Sequence, residues 1–240
     1  MFKKILESSR EADARWGHQS RHLSGSSEVY PMKRHYSLSF VTAMFAIVCY
    51  LAFTLLAFLR YTLSYSPLSN WLSDLGNANL NPSGALFYNI GIVATGGVVL
   101  LFFLGLSEWK MEKNRIQNIM LFVTQGCGIL GALAMLMSGF YPINFLALHS
   151  VFSTCLYILL GTAFAFSVAA LRYHPACPRW LLIVGASTAL MALLYGIFHT
   201  VTALEWVTTA LFLCYVGLLG AETNRFASET IDRSTTTVTR

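Results

Sequence analysis

Residues 38–60 read LSFVTAMFAIVCYLAFTLLAFLR, and no charge interrupts them until Arg60. A helix crossing the hydrocarbon core of a bilayer needs about 20 predominantly apolar residues, so this stretch predicts one full span. Its apolar residues are continuous rather than alternating, which excludes a strand of a membrane β-barrel. Five further runs of the same kind follow, over residues 84–106, 117–139, 146–171, 180–199 and 203–221. The connections near 140–145 and 200–202 are too short for anything but antiparallel hairpins. The expected fold is therefore all-α, a polytopic integral membrane six-helix bundle.

Composition agrees. Of the 240 residues, 55% are hydrophobic and 11% are charged, against about 25% charged in soluble domains. The mean hydropathy is +0.58. The net charge of +5 does not indicate nucleic acid, because the basic residues lie in tails and short loops and no segment can form a solvent-exposed nucleic-acid-binding domain. The five Cys lack CxxC spacing, so neither a disulfide framework nor a thiolate metal site is indicated. They read as small packing residues.

Fifteen of the 16 Lys and Arg fall in the N-tail, the 2–3 connection, the 4–5 connection and the C-tail; Arg60 is the exception. The positive-inside rule then places both termini in the cytoplasm. Residues 1–37 form a polar, basic cytoplasmic tail. It has no apolar h-region and so is no signal peptide, its first residues could form a surface helix, and Met32 offers a second start. Residues 38–221 form the membrane domain and residues 222–240 a disordered cytoplasmic tail. Small residues recur at four-residue spacing, as Gly91 and Thr95, Gly128 and Ala132, and Gly185 and Ala189, letting helices approach closely.

The first outer loop, 61–83, contains SPLSNWLSDLGNANLNPSG (66–84). Loops of this length are usually functional. Leu68, Trp71, Leu72 and Leu75 are spaced as on one helix face. Ser66 or Ser69 suits the N-cap, Pro67 the first turn and Gly76 the end. A short interfacial lid helix is expected, with Asp74 beside its apolar face, inside a lid spanning 64–82.

Other polar residues gather at the same side: Arg60 at the end of span 1, Asn89 in span 2, His149 and Ser153 entering span 4, His199 ending span 5 and Glu205 opening span 6. Three readings follow. In a structural reading, Arg60 pairs with Asp74 or Glu205 and locks the lid, supported by Asn70, Ser73, Asn89 and Ser153. In a hydrolase reading, His149, His199 and Asp74 hold zinc and Glu205 is the catalytic general base acting on a lipid or lipid-linked substrate. In a binding reading, the polar site takes a membrane lipid, a small solute, a membrane-protein partner or a second copy of the chain. Transport is disfavoured because mid-span positions read as Ala, Leu, Phe and Gly, where transporters place polar or broken helices. Trp109, Trp180 and Trp206 read as interfacial anchors, and His174 as a solvated loop residue.

The segment Asn70, Ser73, Asp74, Leu75, Gly76, then Asn81-Pro82-Ser83, then Phe87, Asn89 and Gly91, resembles the signature of the domain of unknown function 998 family of small six-span membrane proteins. The later GFYPIN and LHSVFS, with Pro142 and His149, is similar to that family's element before the fourth span. The resemblance covers roughly residues 35–220 and implies the six-span fold and a cell-membrane location, with no reaction attached. The group is distantly similar to the Frag/DRAM/Sfk membrane proteins. A looser likeness links it to intramembrane ceramidase-like hydrolases, whose paired-His helix motif is missing here.

Overall fold

The computed structural model describes residues 36–198 and 200–238, with side chains through residue 229. The N-tail reading and His199 therefore lie outside the described residues. Six α-helices cover the expected spans: α1 Leu38–Phe58, α2 Ala85–Gly105, α3 Arg115–Phe140, α4 Leu146–Leu171, α5 Arg179–Ile197 and α6 Thr202–Val238. Each includes a segment long and apolar enough to cross a membrane, and the protein is a polytopic membrane protein.

Local chemistry sets the helix starts. The Ser37 hydroxyl accepts the Phe40 N–H at the start of α1, and the Asn114 side chain accepts the Gln117 N–H at the start of α3. Each satisfies a donor the helix cannot satisfy itself. Pro178 precedes α5, where its missing N–H costs nothing.

Each helix packs against its chain neighbours, and α6 returns against α1. The six helices thus close a ring. Its interior is filled at the basic-loop end by Phe102, Phe103, Phe164 and Tyr215, all with no exposed surface. All three glycines of the small-residue pairs work as the spacing expects, and a Cβ on Gly91 would run into the Phe53 side chain. A Cβ on Gly128 would run into the Phe103 ring, and one on Gly185 would sit 2.6 Å from the Tyr215 ring. The close approach there requires glycine.

Three expectations need correction. The lid forms a short helix ending at Gly76, but it is a five-residue 3₁₀ turn, Leu72–Gly76, and not a longer α-helix from Ser66. Leu68 stands 81% exposed outside it, while Leu72 and Leu75 are buried. The turn starts late because the Asp74 carboxylate accepts the Trp71 N–H, while the Leu72 N–H goes to another helix altogether.

The C-terminal residues read as a disordered tail instead continue α6 to Val238. Arg225 bridges Glu222 at 2.7 Å and Glu229 at 2.9 Å, pairs one turn apart that stabilise an exposed helix.

Trp109 and His174 are not at a lipid or solvent boundary. Trp109 has no exposed surface and His174 is 8% exposed, edge-on to the Trp109 ring with centroids 4.9 Å apart. Burial lowers the His174 imidazole below its ordinary value. Trp180, at 45% exposed, fits the anchor role.

Candidate functional site

The 3₁₀ turn sits as a plug at one end of the ring, touching α1, α2, α6 and the turn before α4. Its apolar side, Leu72 and Leu75, joins Tyr50, Tyr88, Ile92 and Met135 in a buried cluster. Its polar side explains why the loop is rich in Asn.

Asn81, fully buried, donates from Nδ2 to the Ala57 carbonyl at 3.0 Å and to the Leu75 carbonyl at 2.9 Å. Asn89 donates to the Gly76 carbonyl at 3.0 Å. Asn144, in the 3–4 connection, donates to the Asn77 side-chain oxygen and accepts from the Ala78 N–H. Asn70 accepts from the Ser66 N–H and the Ser69 hydroxyl. Buried backbone in an irregular segment must find partners, and these side chains supply them. Gly84 lets Asn81 reach: a Cβ there would lie 2.6 Å from the Ala57 carbonyl oxygen.

From the far end of the chain, α6 holds the same plug. Glu205 is 6% exposed and accepts the Leu72 N–H at 2.7 Å. Thr202 donates to the Leu68 carbonyl at 3.0 Å and Trp206 to the Asn70 carbonyl at 3.4 Å. Tyr65 donates to the Trp71 carbonyl at 2.7 Å.

Asp74, 9% exposed, closes the turn by accepting the Trp71 N–H at 3.0 Å. Burial lifts its carboxyl above the ordinary range, against the hydrogen bonds from Trp71 and Asn70 that favour the charged form. A raised acid binds its proton more tightly in the folded state. The stability it contributes is full below the ordinary Asp value of about 3.9 and is lost as pH rises through the raised value. Melting temperature against pH should therefore decline over that window in the wild type and decline less in Asp74→Asn. Parallel curves would contradict this.

The expected pairing of Arg60 does not form. Among the described residues the ion pairs are those of Arg225. Arg60 is exposed and lies over the Phe87 ring, 4.7 Å from its centroid.

His149, on the first turn of α4, is 9% exposed. Its Nδ1 is 3.0 Å from the Tyr141 carbonyl oxygen, and its Nε2 is 3.3 Å from the Ser153 hydroxyl. A carbonyl only accepts, so Nδ1 carries the hydrogen, and in the neutral ring Nε2 is an acceptor.

Beneath the plug, two adjoining cavities of about 60 and 190 Å³ share Ser73, His149, Ser153, Tyr157 and Glu205. The smaller runs inward between α2, α3, α4 and α6 and reaches Thr95 and Leu160. The larger lies between α4, α5 and the plug, with Leu146, 66% exposed, at its rim. The structure thus brings Ser73, Asn89, His149, Ser153 and Glu205 to one cavity system. Asp74 and Asn70 belong to the plug above it, and Arg60 stands apart.

Sequence reasoning missed Tyr50, Tyr88, Tyr157 and Thr95, all cavity-lining. The spans are therefore not apolar throughout. The spacing of His149, Ser153 and Tyr157, four residues apart and so on one helix face, was the available signal. Among the described residues no three His, Cys, Asp or Glu side chains come together as metal ligands.

The profile of a family described as Protein of unknown function (DUF998) matches residues 44–222. No curated protein and no solved structure matches the chain.

Proposed function

We propose that this chain, which belongs to the DUF998 family, is a binding protein for a single membrane amphiphile. The polar end of the ligand sits in the cavity beneath the plug, and its tail leaves between α4 and α5. The observation that carries this reading is the mixed lining. Buried Glu205, His149 and Ser73 face the same space as Leu156, Leu160, Leu213 and Met135, which suits a molecule with one polar and one apolar end. The distribution of basic residues supports a plug at the outer face of the membrane, and the cell membrane is the compartment this reading takes.

The test is native mass spectrometry of detergent-purified protein, wild type beside Ser153→Phe. The new ring fills the junction of the two cavities. About one tightly held amphiphile per chain is expected in the wild type, as for a site that buries most of its ligand, and none in the variant, whose circular dichroism spectrum stays that of the folded helices. The same lipid count in both would sink the reading.

A hydrolytic reading has one observation in its favour. Ser153, His149 and the Tyr141 carbonyl have the order of nucleophile, base and orienting group. The zinc version would use His149 with Asp74 and His199. His199 is outside the described residues, and an Asp74 carboxylate oxygen is already engaged by Trp71. Recovery of the co-purified amphiphile intact supports binding, and recovery as cleaved fragments supports hydrolysis.

A further inference from the structure

We infer that the cavity selects a compact, positively charged polar end, a protonated primary amine on an apolar chain, over one that ends in phosphate or carboxylate. This rests on the binding reading above and adds the chemical class of the ligand.

Glu205 presents a carboxylate, a group with about four acceptor positions. The Leu72 and Ser73 N–H groups take only part of them. The His149 Nε2, an acceptor in the tautomer its Nδ1 contact fixes, takes the Ser153 hydroxyl hydrogen and leaves the Ser153 oxygen free to accept. Thr95, 1% exposed, lines the inner chamber and its hydroxyl has no partner. An unpaired buried hydroxyl is costly, so it gains from a polar group arriving there. The Glu205 carboxylate is the acidic group of this lining, and the hydroxyls beside it, among them Tyr50, Tyr88 and Tyr157, donate or accept.

Charge points the same way. Among the described residues no Lys or Arg lines either cavity. An anionic end would meet Glu205 in a poorly hydrated space with no compensating cation, where like charges repel strongly. An ammonium would form a charge-assisted hydrogen bond with Glu205. It would also find aromatic faces: Tyr157 and Tyr195 meet edge to face with centroids 4.5 Å apart, and Trp71 adjoins Tyr195. Such rings attract cations.

Size narrows the class. The inner chamber is the smaller of the two cavities, about 60 Å³ against 190 Å³. A compact end of methylammonium size is the kind that passes Glu205 into it and reaches Thr95.

The experiment compares dodecylamine, dodecanol and dodecyl phosphate, which share one tail, for binding to the full chain in nanodiscs. Quenching of tryptophan fluorescence is followed, with empty nanodiscs as blank. The amine should bind the wild type at least about tenfold tighter than the phosphate, a clear step in dissociation constant, with the alcohol between. Glu205→Gln should level the amine and phosphate affinities. Should that variant fold poorly, the wild-type ranking still decides. Equal or tighter binding of the phosphate by wild type, with Ser153→Phe blocking all three, overturns the head-group inference alone. Undiminished binding of all three by Ser153→Phe overturns the cavity reading beneath it.

Discussion

Asn81→Leu should lower the stability of the folded protein by about 1–3 kcal/mol, since it strands one buried carbonyl and takes one donor from a second. The stranded carbonyl is Leu75 O, in the plug, and the second is Ala57 O, at the end of α1, which keeps the Arg60 N–H. Leucine keeps the branched heavy-atom skeleton of asparagine, so the loss is not that of a cavity. Asn81→Asp should do no better, because an ionised carboxylate has no hydrogen to give either carbonyl. The contrast is Asn79→Ala, an exposed residue in the same loop, expected within about 0.5 kcal/mol of wild type. Thermal unfolding in detergent measures both. Limited proteolysis adds the location, since cleavage within 64–82 should accelerate in Asn81→Leu alone. If the two variants melt together, Asn81 is not what pins the plug.

That residue also marks how far the sequence could be read. Helix positions were legible because a span is set by a local quantity, about 20 residues of apolar side chain, and the six runs agree with the observed helices to within a few residues except where α6 runs on. That the loop mattered was legible from its composition. Its partners were not. Asn81 reaches back 24 residues to Ala57, and Glu205 reaches across 133 to Leu72. No periodicity connects such positions, because the contact is made by ring closure of the bundle.

Arg60 failed for a related reason. Opposite charges at one end of a bundle imply a pair only if both face inward. Arg60 leaves α1 on the outside, and its guanidinium rests on Phe87. The missed tyrosines show the reverse error. Hydropathy averaged over a span hides one phenol, although Tyr50 and Tyr88 are each only 6% exposed and set the polarity of the cavity wall.

The opposite end of the bundle was misread most, and it holds the second large effect. Trp109→Ala should cost about 3–5 kcal/mol, the range for emptying a fully buried Trp site. The indole donates to the Thr223 hydroxyl at 2.7 Å, and its ring stacks on Phe226 with centroids 5.3 Å apart. Its backbone carbonyl accepts from the buried Gln117 side chain at 2.8 Å. One residue thus joins the end of α2 to α3, to the 4–5 connection through His174, and to the part of α6 that composition assigns to a tail. Trp180→Ala, at an exposed position of the same residue type, should shift the unfolding midpoint little. Thr223→Val keeps the ring and removes the acceptor, leaving the indole N–H unpaired, and should fall between the two. Unfolding followed by circular dichroism in detergent gives all three midpoints. Should Trp109→Ala and Trp180→Ala shift equally, both act as interfacial anchors and the α6 extension does not contribute to the fold. The expected order, Trp109→Ala lowest, then Thr223→Val, then Trp180→Ala, identifies residues 222–229 as part of the packed bundle.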